Sequence, residues 1–158
     1  MPRSLGCNGA GKKGWWQEVA DAFPRSTAAH CRRTSLADVT YNCVAWAAGD
    51  TSRWWQSGVY WPVPTSRTDY GIGSLERALQ SLGYEVCRDE SLEPDFEKVA
   101  IYGFGFFYTH AARQLPNGKW TSKLGKAEDI EHDSPDDIAG GIYGEVVQFM
   151  RRRFVANA

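Results

Sequence analysis

The chain has 158 residues, of which 42% are hydrophobic, 13% aromatic and 23% charged, and its formal net charge is −1. This length and composition fit one folded domain with its own core and exclude an intrinsically disordered chain. The charge gives no electrostatic reason to expect nucleic acid or an anionic membrane as a partner.

The N-terminal segment, residues 1–14, is rich in glycine and in polar and basic residues. We predict that it is flexible and that residues 15–158 form a single α+β domain. The N-terminus has no apolar stretch typical of a secretory signal, and no run of the chain is long and apolar enough for a membrane helix. These features predict a cytoplasmic protein, with export by a route that needs no cleaved signal as the open alternative.

The cysteines give no sign of disulfide or metal chemistry. None of them forms a Cys-x-x-Cys pair, and no two pairs of ligands stand at the spacing of a zinc site. We therefore predict free thiols in a reducing compartment, no metal and no cofactor. The cysteines are Cys7, Cys31, Cys43 and Cys87.

The first half of the chain predicts helices, each ended by a proline or a glycine. Their apolar residues recur at the spacing of one helix face. The predicted helices cover residues 15–23, 43–48 and 74–82.

The second half predicts a small antiparallel meander, because β-branched and aromatic residues cluster between glycine-containing turns. A short strand over residues 84–87 precedes strands over residues 99–107, 108–115 and 119–124. After Gly125 the chain becomes acidic, and Ser134-Pro135-Asp136-Asp137 has the pattern of a helix start. The apolar residues Val146, Val147, Phe149 and Met150 then predict a C-terminal helix over residues 143–152.

A thiol and an imidazole stand in the order that nucleophilic thiol chemistry needs. Cys43 lies in the first turn of a predicted helix that Asn42 caps. The partial positive charge of a helix N-terminus favours the thiolate. His110 follows on a predicted strand, just before a tight hairpin.

Which residues face His110 depends on the loop at residues 116–118. Alternation along the strand puts Tyr108 and His110 on one face. A two-residue turn of Asn117 and Gly118 would set Thr121 and Lys123 beside the histidine.

A three-residue loop would instead pair Leu115 with Lys119 and bring Trp120 and Ser122 to the face of His110. Proline suits the first central position of a type I turn, and glycine suits the left-handed position that follows in a bulged hairpin. We therefore predict the three-residue loop. Ser122 then orients the imidazole, and its neighbour on the strand, a lysine, points to the opposite face.

The segment from His110 to Ser122, with Asn117-Gly118-Lys119 at its turn, resembles the histidine hairpin of the papain-like cysteine peptidase superfamily in its NlpC-type and CHAP-type branches. In those branches a cysteine at a helix start precedes a histidine at a strand start, and a polar third residue follows on the next strand. The resemblance covers roughly residues 43–122. The stretches 120–125 and 130–132 also resemble a group of uncharacterised bacterial proteins.

The resemblance implies a papain-like fold, with N-terminal helices packed on the meander and a helix at the C-terminus. It also implies a cysteine-dependent enzyme that transfers acyl groups from amide bonds of a peptide or protein, as a peptidase, amidase, deamidase or transamidase. Cys43 would be the nucleophile, His110 the base and Ser122 the residue that orients the imidazole. The main-chain N–H of Cys43 would donate to the oxyanion.

The residues expected to contact substrate are mostly aromatic. The stretch that contains Trp54, Trp55, Tyr60 and Trp61 has no clear period, so it either lines a cleft or belongs to the core, and we expect at least two of the four in the core. The predicted substrate-binding residues are Asn42, Trp54, Trp55, Trp61 and Trp120.

The other histidines are not expected to act in catalysis. His132 lies in the acidic sequence Asp129-Ile130-Glu131-His132-Asp133, which we predict to be a loop, so a solvated or helix-capping role is expected. His30 adjoins Cys31, but neighbours in sequence rarely point toward each other.

The alternative function belongs to a different class: a non-catalytic immunity, adaptor or inhibitor protein on the same scaffold, which grips a protein partner with the aromatic loop. Two departures from the superfamily favour it. In this chain the polar residue that follows the cysteine and the histidine is a serine, Ser122. Trp46 lies close to Cys43, at a place where the superfamily usually has small residues.

Overall fold

The computed structural model describes residues 14–154, and the predicted flexible segment at residues 1–14 therefore lies, apart from Gly14, outside the described residues. Within them the chain is an α+β structure, as predicted. The α-helices are α1 (Trp15–Ala22), α2 (Cys43–Ala47) and α3 (Ile72–Gln80), with a 3₁₀ helix at Pro135–Ile138. The strands are β1 (Cys31–Arg33), β2 (Glu85–Cys87), β3 (Phe96–Phe104), β4 (Phe107–Gln114), β5 (Trp120–Lys123), β6 (Asp129–His132) and β7 (Glu145–Arg153).

All strands in the described part of the chain join one sheet, in the order β1-β6-β5-β4-β3-β7-β2. Every neighbouring pair is antiparallel. The sheet therefore contains the predicted meander and extends beyond it on both sides. No helix over residues 14–154 is long and apolar enough to cross a membrane.

Each face of the sheet carries its own core. Helix α1 and the 3₁₀ helix cover the first core, which includes Phe23, Tyr102 and Trp120. Helices α2 and α3 cover the second core, which includes Leu75 and Ile101. Adjacent residues of β3 therefore enter different cores, because side chains along a strand alternate between the two faces of the sheet.

The predicted C-terminal helix is wrong, because residues 145–153 form strand β7. The sheet is covered on both faces, so Phe149 packs against the first core while its neighbour Met150 belongs to the second. The register against β3 also shifts between Gln148 and Val146, which leaves Val147 as an extra residue. Burial on both faces of β7, together with this bulge, places apolar residues at a spacing that resembles that of a helix.

The acidic stretch after Gly125 is strand β6 rather than a loop. Its Ile130 is buried in the first core, and its charged neighbours find partners: Glu131 accepts from Arg32 at 2.7 Å and Asp129 accepts from the hydroxyl of Tyr41 at 2.9 Å. The segment after it follows the prediction in a short form. Ser134 caps the 3₁₀ helix in a capping box, with proline at its start.

The β4–β5 hairpin has the predicted three-residue loop. The Leu115 N–H donates to the Lys119 carbonyl at 2.7 Å, and Gly118 adopts a φ of +87°. Thr121 pairs with Arg113, as this register requires. The face assigned to the third residue of the site depends on this register.

A β-bulge at the start of β4 alters the predicted face of Tyr108. Tyr102 pairs with His110, whereas Gly103 pairs with Tyr108, so Thr109 is an extra residue. Tyr108 consequently packs against the second core, while the ring of His110 contacts Tyr102 in the first. The prediction that Tyr108 and His110 share a face is therefore wrong.

Candidate active site

Cys43 begins α2, and the residue before it ties the helix to the aromatic loop. The Asn42 Oδ1 atom accepts from the main-chain N–H groups of Ala45 at 3.2 Å and of Trp55 at 3.1 Å, and Nδ2 donates to the Trp55 carbonyl at 2.7 Å. Asn42 is thus the predicted helix cap, and it is also a clamp on the loop. Its amide is committed to these three bonds, although the residue borders the cavity beside Cys43.

A cavity of about 760 Å³ opens beside Cys43. Its size suits a small molecule or a peptide side chain. Among the described residues, those that line it carry no charge, and five of these twelve residues are aromatic. The aromatic members of the wall are Trp54, Trp55, Tyr70, Tyr108 and Tyr143.

The Cys43 thiol experiences two opposing influences. The main-chain N–H groups of Cys43, Val44 and Ala111 point toward the sulfur and lower its pKa, because they stabilise a thiolate. Burial disfavours the charge more strongly and raises the pKa of the Cys43 thiol to about 11. The predicted thiolate at the helix start is therefore wrong. The resting residue is a thiol.

His110 is fully buried and held from several sides. Its Nε2 atom lies 2.9 Å from the Ser122 hydroxyl oxygen, as the hairpin register predicts. The Tyr143 ring stacks on the imidazole with 4.0 Å between centroids and 9° between planes, and Tyr102 meets it edge-on at 5.2 Å. Burial holds the pKa of His110 well below its usual value, so the ring is neutral. Its Nδ1 atom is buried and has no hydrogen-bond partner among residues 14–154.

The thiol and the imidazole belong to different cores: Cys43 packs against the second core, whereas the ring of His110 contacts Tyr102 and Tyr143 of the first. The N–H of Ala111, the residue after His110, points at the Cys43 sulfur. Tyr143 lines the cavity together with Cys43 while its ring stacks on His110. No hydrogen bond joins the sulfur to Nδ1 of His110, both of which lie in the described part of the chain. The structure thus unites His110 with Ser122 and leaves Cys43 as their neighbour across Ala111 and Tyr143.

His132 completes the cluster, and the prediction of a solvated role for it is wrong. It is fully buried, its Nε2 atom lies 2.8 Å from the Ser122 hydroxyl oxygen, and its Nδ1 atom lies 2.8 Å from the Ser134 carbonyl oxygen. Burial lowers the pKa of His132 to about 4. Its position follows from the pairing of His132 with Trp120, which puts both residues on the face of Ser122.

Lys123 points away from this cluster, as the strand alternation predicts. Its buried ammonium donates to the carbonyls of Asp38 at 2.6 Å, Gly125 at 2.8 Å and Ala127 at 2.6 Å. All three protons are therefore committed to main-chain oxygens. Lys123 is a structural cation that holds the loop after β5.

The predicted substrate-binding tryptophans divide between cavity and core. Trp54 and Trp55 border the cavity, although Trp55 is only 4% exposed and its indole donates to Asp50 at 2.8 Å. Trp61 stacks on Tyr108 behind the cavity wall, with 6.0 Å between centroids. Trp120 is 1% exposed and belongs to the first core, so it does not line the cavity.

Sequence reasoning missed Tyr143 as well as His132. Tyr143 lies in a turn between the 3₁₀ helix and β7, far from His110 along the chain, and no local pattern connects them. The alternation in Asp129-Ile130-Glu131-His132 was the one signal available for a strand that carries His132 toward the core. The described residues contain no cluster of three or more His, Cys, Asp or Glu side chains placed to hold a metal ion.

Comparison with known proteins gives a family and no function. No curated protein and no solved structure matches the chain. A family model described as a domain of unknown function, DUF7689, matches residues 32–151, a range that includes the thiol, the imidazoles and the serine described above. Because this match spans most of the sequence, the chain belongs to the DUF7689 family.

Proposed function

We propose that the chain is a cysteine-dependent acyl-transfer enzyme that acts on amide bonds, with a papain-like arrangement of Cys43, His110 and Ser122. One observation carries the proposal: among the residues that the structure describes, the buried Nδ1 atom of His110 has no hydrogen-bond partner. It is the imidazole nitrogen among six such buried side-chain atoms, and a neutral imidazole can accept a proton. Nucleophilic thiol chemistry needs such an acceptor, and Tyr143 links the two groups, because it lines the cavity with Cys43 and stacks on His110.

The reaction uses Nδ1 twice. As the Cys43 sulfur attacks the substrate carbonyl carbon, its proton passes to Nδ1 and the carbonyl electron pair moves onto oxygen, where the Cys43 main-chain N–H can donate. When the tetrahedral intermediate collapses, the carbon–nitrogen bond breaks and Nδ1 returns the proton to the departing amine. Water or a second amine then attacks the thioester carbon while Nδ1 of His110 takes its proton; the carbon–sulfur bond breaks, and Nδ1 returns the proton to the Cys43 sulfur.

The resting state sets the type of mechanism. Burial raises the pKa of Cys43 to about 11 and holds the pKa of His110 well below 6.5, so both groups are neutral. The proton therefore moves during the attack, by general-base catalysis, and not before it. Catalytic hydrogen bonds are often long in substrate-free enzymes, which fits the absence of a bond between the two groups.

The cavity indicates the kind of acyl group. Its lining, so far as the structure describes it, is uncharged and mostly apolar, with five aromatic residues. Burying an unpaired charge there would cost free energy, whereas burying an apolar group would be favourable. The preferred substrate is therefore a peptide or protein whose reacting carbonyl follows a neutral, apolar side chain.

Acylation by activated esters tests the proposal without a known substrate. The protein is incubated with p-nitrophenyl butyrate, and the butyryl group is located by mass spectrometry of peptides. We expect Cys43 to acylate faster than Cys87, a half-buried thiol whose pKa burial also raises but which has no imidazole partner. Cys43→Ala should abolish the rapid release of p-nitrophenol. Equal rates at Cys43 and Cys87 would contradict the proposal, and slower reaction of an ester with a charged acyl group would support the inferred substrate class.

One observation favours the alternative, a binding module without catalysis. The β3–β4 hairpin exposes three phenylalanines beside the cavity, with Phe104 56%, Phe106 87% and Phe107 61% exposed. Exposed apolar groups of this kind are typical of protein-binding surfaces. A purely binding protein would show no preferential acylation of Cys43, whereas in the enzyme Phe106→Ser should leave acylation by the small ester unchanged.

A further inference from the structure

We propose that Ser122 and His132 together fix the tautomer of His110, so that Nε2 carries the proton and Nδ1 is the free base. In this view His132 is a positioning residue of the site, a role that rests on the proposed function above. The tautomer itself follows from hydrogen-bond geometry alone.

His132 and Ser134 form the far end of this chain of hydrogen bonds. The Ser134 carbonyl oxygen can only accept, and it lies 2.8 Å from Nδ1 of His132, so this nitrogen must carry a proton. The His132 ring is fully buried. A buried imidazole is neutral, because burial disfavours its charged form, and a neutral ring has one protonated nitrogen. Nε2 of His132 is therefore an acceptor.

The serine hydroxyl has one proton to donate. Nε2 of His132, at 2.8 Å from Ser122 Oγ, needs a donor, so the hydroxyl proton points there. The oxygen of Ser122 is then an acceptor toward His110, whose Nε2 lies 2.9 Å away and must supply an N–H. His110 is consequently protonated at Nε2, and its lone pair is on Nδ1.

This order of donors suits both stages of the reaction. Before attack, Nδ1 is free to take the thiol proton. After attack, the imidazolium keeps its Nε2–H bond to Ser122, and neither Ser122 nor His132 has to reorient. An enzyme gains rate when the groups around a reacting atom need no reorganisation.

Removal of the His132 imidazole alone should slow the acylation of Cys43 more than removal of both this imidazole and the Ser122 hydroxyl. Without the acceptor on His132, the Ser122 hydroxyl has only Nε2 of His110 to donate to. That bond would favour the opposite tautomer, with the proton on Nδ1, and would block the base. Removing the hydroxyl as well frees His110 to populate both tautomers.

The first test is the tautomer in the unaltered protein. The chain has three histidines, so ¹⁵N-labelled histidine gives a simple NMR spectrum in which long-range correlations identify the protonated nitrogen of each ring. His30 is exposed, and its Nδ1 atom lies 2.6 Å from Oδ2 of Asp133, so it serves as the reference for a ring that donates from Nδ1. We expect His110 protonated at Nε2 and His132 at Nδ1, at pH 7. A spectrum with His110 protonated at Nδ1 would overturn the proposal, whatever the protein does to substrates.

The second test compares three variants by acylation of Cys43 with p-nitrophenyl butyrate. His132→Phe should slow acylation by about 100-fold, which is the lower range for loss of a general base, and should move the proton of His110 to Nδ1. Ser122→Ala should slow it less. The double variant Ser122→Ala with His132→Phe should react about tenfold faster than His132→Phe alone, since the blocked tautomer is no longer favoured. A double variant that is no faster than His132→Phe would contradict the proposal.

The two proposals fail differently. If the unaltered protein shows the expected tautomers but Cys43 acylates no faster than Cys87, the proposed function is wrong and the bonding order stands. If Cys43 acylates rapidly while His110 is protonated at Nδ1, the inference on Ser122 and His132 is wrong and the enzyme stands. Circular dichroism of each variant separates a loss of fold from a change of tautomer.

Discussion

The two sides of the site differ in how their polar atoms are satisfied. On the imidazole side, His110, Ser122 and His132 are fully buried and joined by bonds of 2.9 and 2.8 Å that end on a main-chain carbonyl. On the thiol side, Cys43 is half-buried at the wall of an open cavity. The imidazole is thus rigidly held, whereas the thiol borders the cavity.

Burial shifts the pKa values of the thiol and of the imidazole in opposite directions, and both shifts favour the neutral form. It raises the pKa of the Cys43 thiol to about 11 and lowers the pKa of the imidazole of His110, so that neither group is charged at neutral pH. A preformed thiolate and imidazolium pair is therefore not the resting state. Burial of the Cys43 sulfur raises its pKa more than the main-chain N–H groups at the start of α2 lower it.

The largest expected effect is on the imidazole side. His110→Gln removes the free Nδ1 acceptor while the amide can still donate to Ser122. Acylation of Cys43 should fall by about 10² to 10⁴-fold, the usual contribution of a general base. Peptide-resolved mass spectrometry measures this rate, and Cys87 in the same sample is the control. An unchanged rate at Cys43 would show that the imidazole side takes no part.

The buried histidines should make stability depend on acid. The pKa of His132 is about 4 in the folded chain against 6.5 when exposed, so between these values the unfolded chain binds protons that the folded chain does not. Above pH 6.5 the histidine takes nothing from the free energy of unfolding. Between pH 6.5 and pH 4, protonation of His132 in the unfolded chain should lower that free energy by about 3 kcal/mol.

The measurement is urea denaturation across this pH range for the unaltered protein and for His132→Gln. Carboxylates titrate in both proteins, so the difference between the two curves isolates the histidine. A difference that does not change with pH would contradict the burial of a neutral His132.

A smaller effect is expected from the structural cation on the other face. Lys123→Met leaves three carbonyl oxygens without their donor, and each unsatisfied buried group costs about 1 kcal/mol or more. Unfolding free energy should drop by about 2 to 3 kcal/mol, as measured by urea denaturation. Acylation of Cys43 in the folded variant should persist. A loss of acylation without a loss of stability would assign Lys123 to the chemistry instead.

The smallest effect is expected at the clamp on the thiol side. Asn42→Ala removes the cap of α2 and both bonds to Trp55, at a cost of about 2 kcal/mol. Asn42→Ser keeps a capping hydroxyl but is too short to hold Trp55, and it should cost about 1 kcal/mol. Thermal denaturation measures both. If the two variants are equally stable, the bonds to Trp55 contribute nothing and the loop is held by packing alone.

Local signals explain why the start of α2 and the contact between His110 and Ser122 could be predicted. Asn42 and Gly49 bound a short helix, and residues 116–118 specify a hairpin loop whose register sets the partner of His110. The prediction of Ser122 beside His110 therefore needed only turn chemistry and strand alternation. The charge state of Cys43 could not be predicted in the same way, because it depends on burial by residues distant in sequence.

The imidazole side could be predicted only in part. His132 and Tyr143 reach His110 through β6 and the turn before β7, and the sequence predicted neither strand. In β6 the charged residues around Ile130 concealed a strand, since their partners come from elsewhere in the fold. In β7 the burial of both faces and the bulge at Val147 removed the alternation on which a strand prediction depends.

The pH dependence of Cys43 acylation between pH 6.5 and pH 9 tests the central claim most directly. If neutral His110 takes the proton from a neutral thiol, the rate should be nearly independent of pH in this range, because both groups keep their protonation states. Attack by free thiolate would instead rise about tenfold per pH unit below the thiol pKa. A flat profile that becomes steep in His110→Gln would support the account, and a steep profile in the unaltered protein would contradict it.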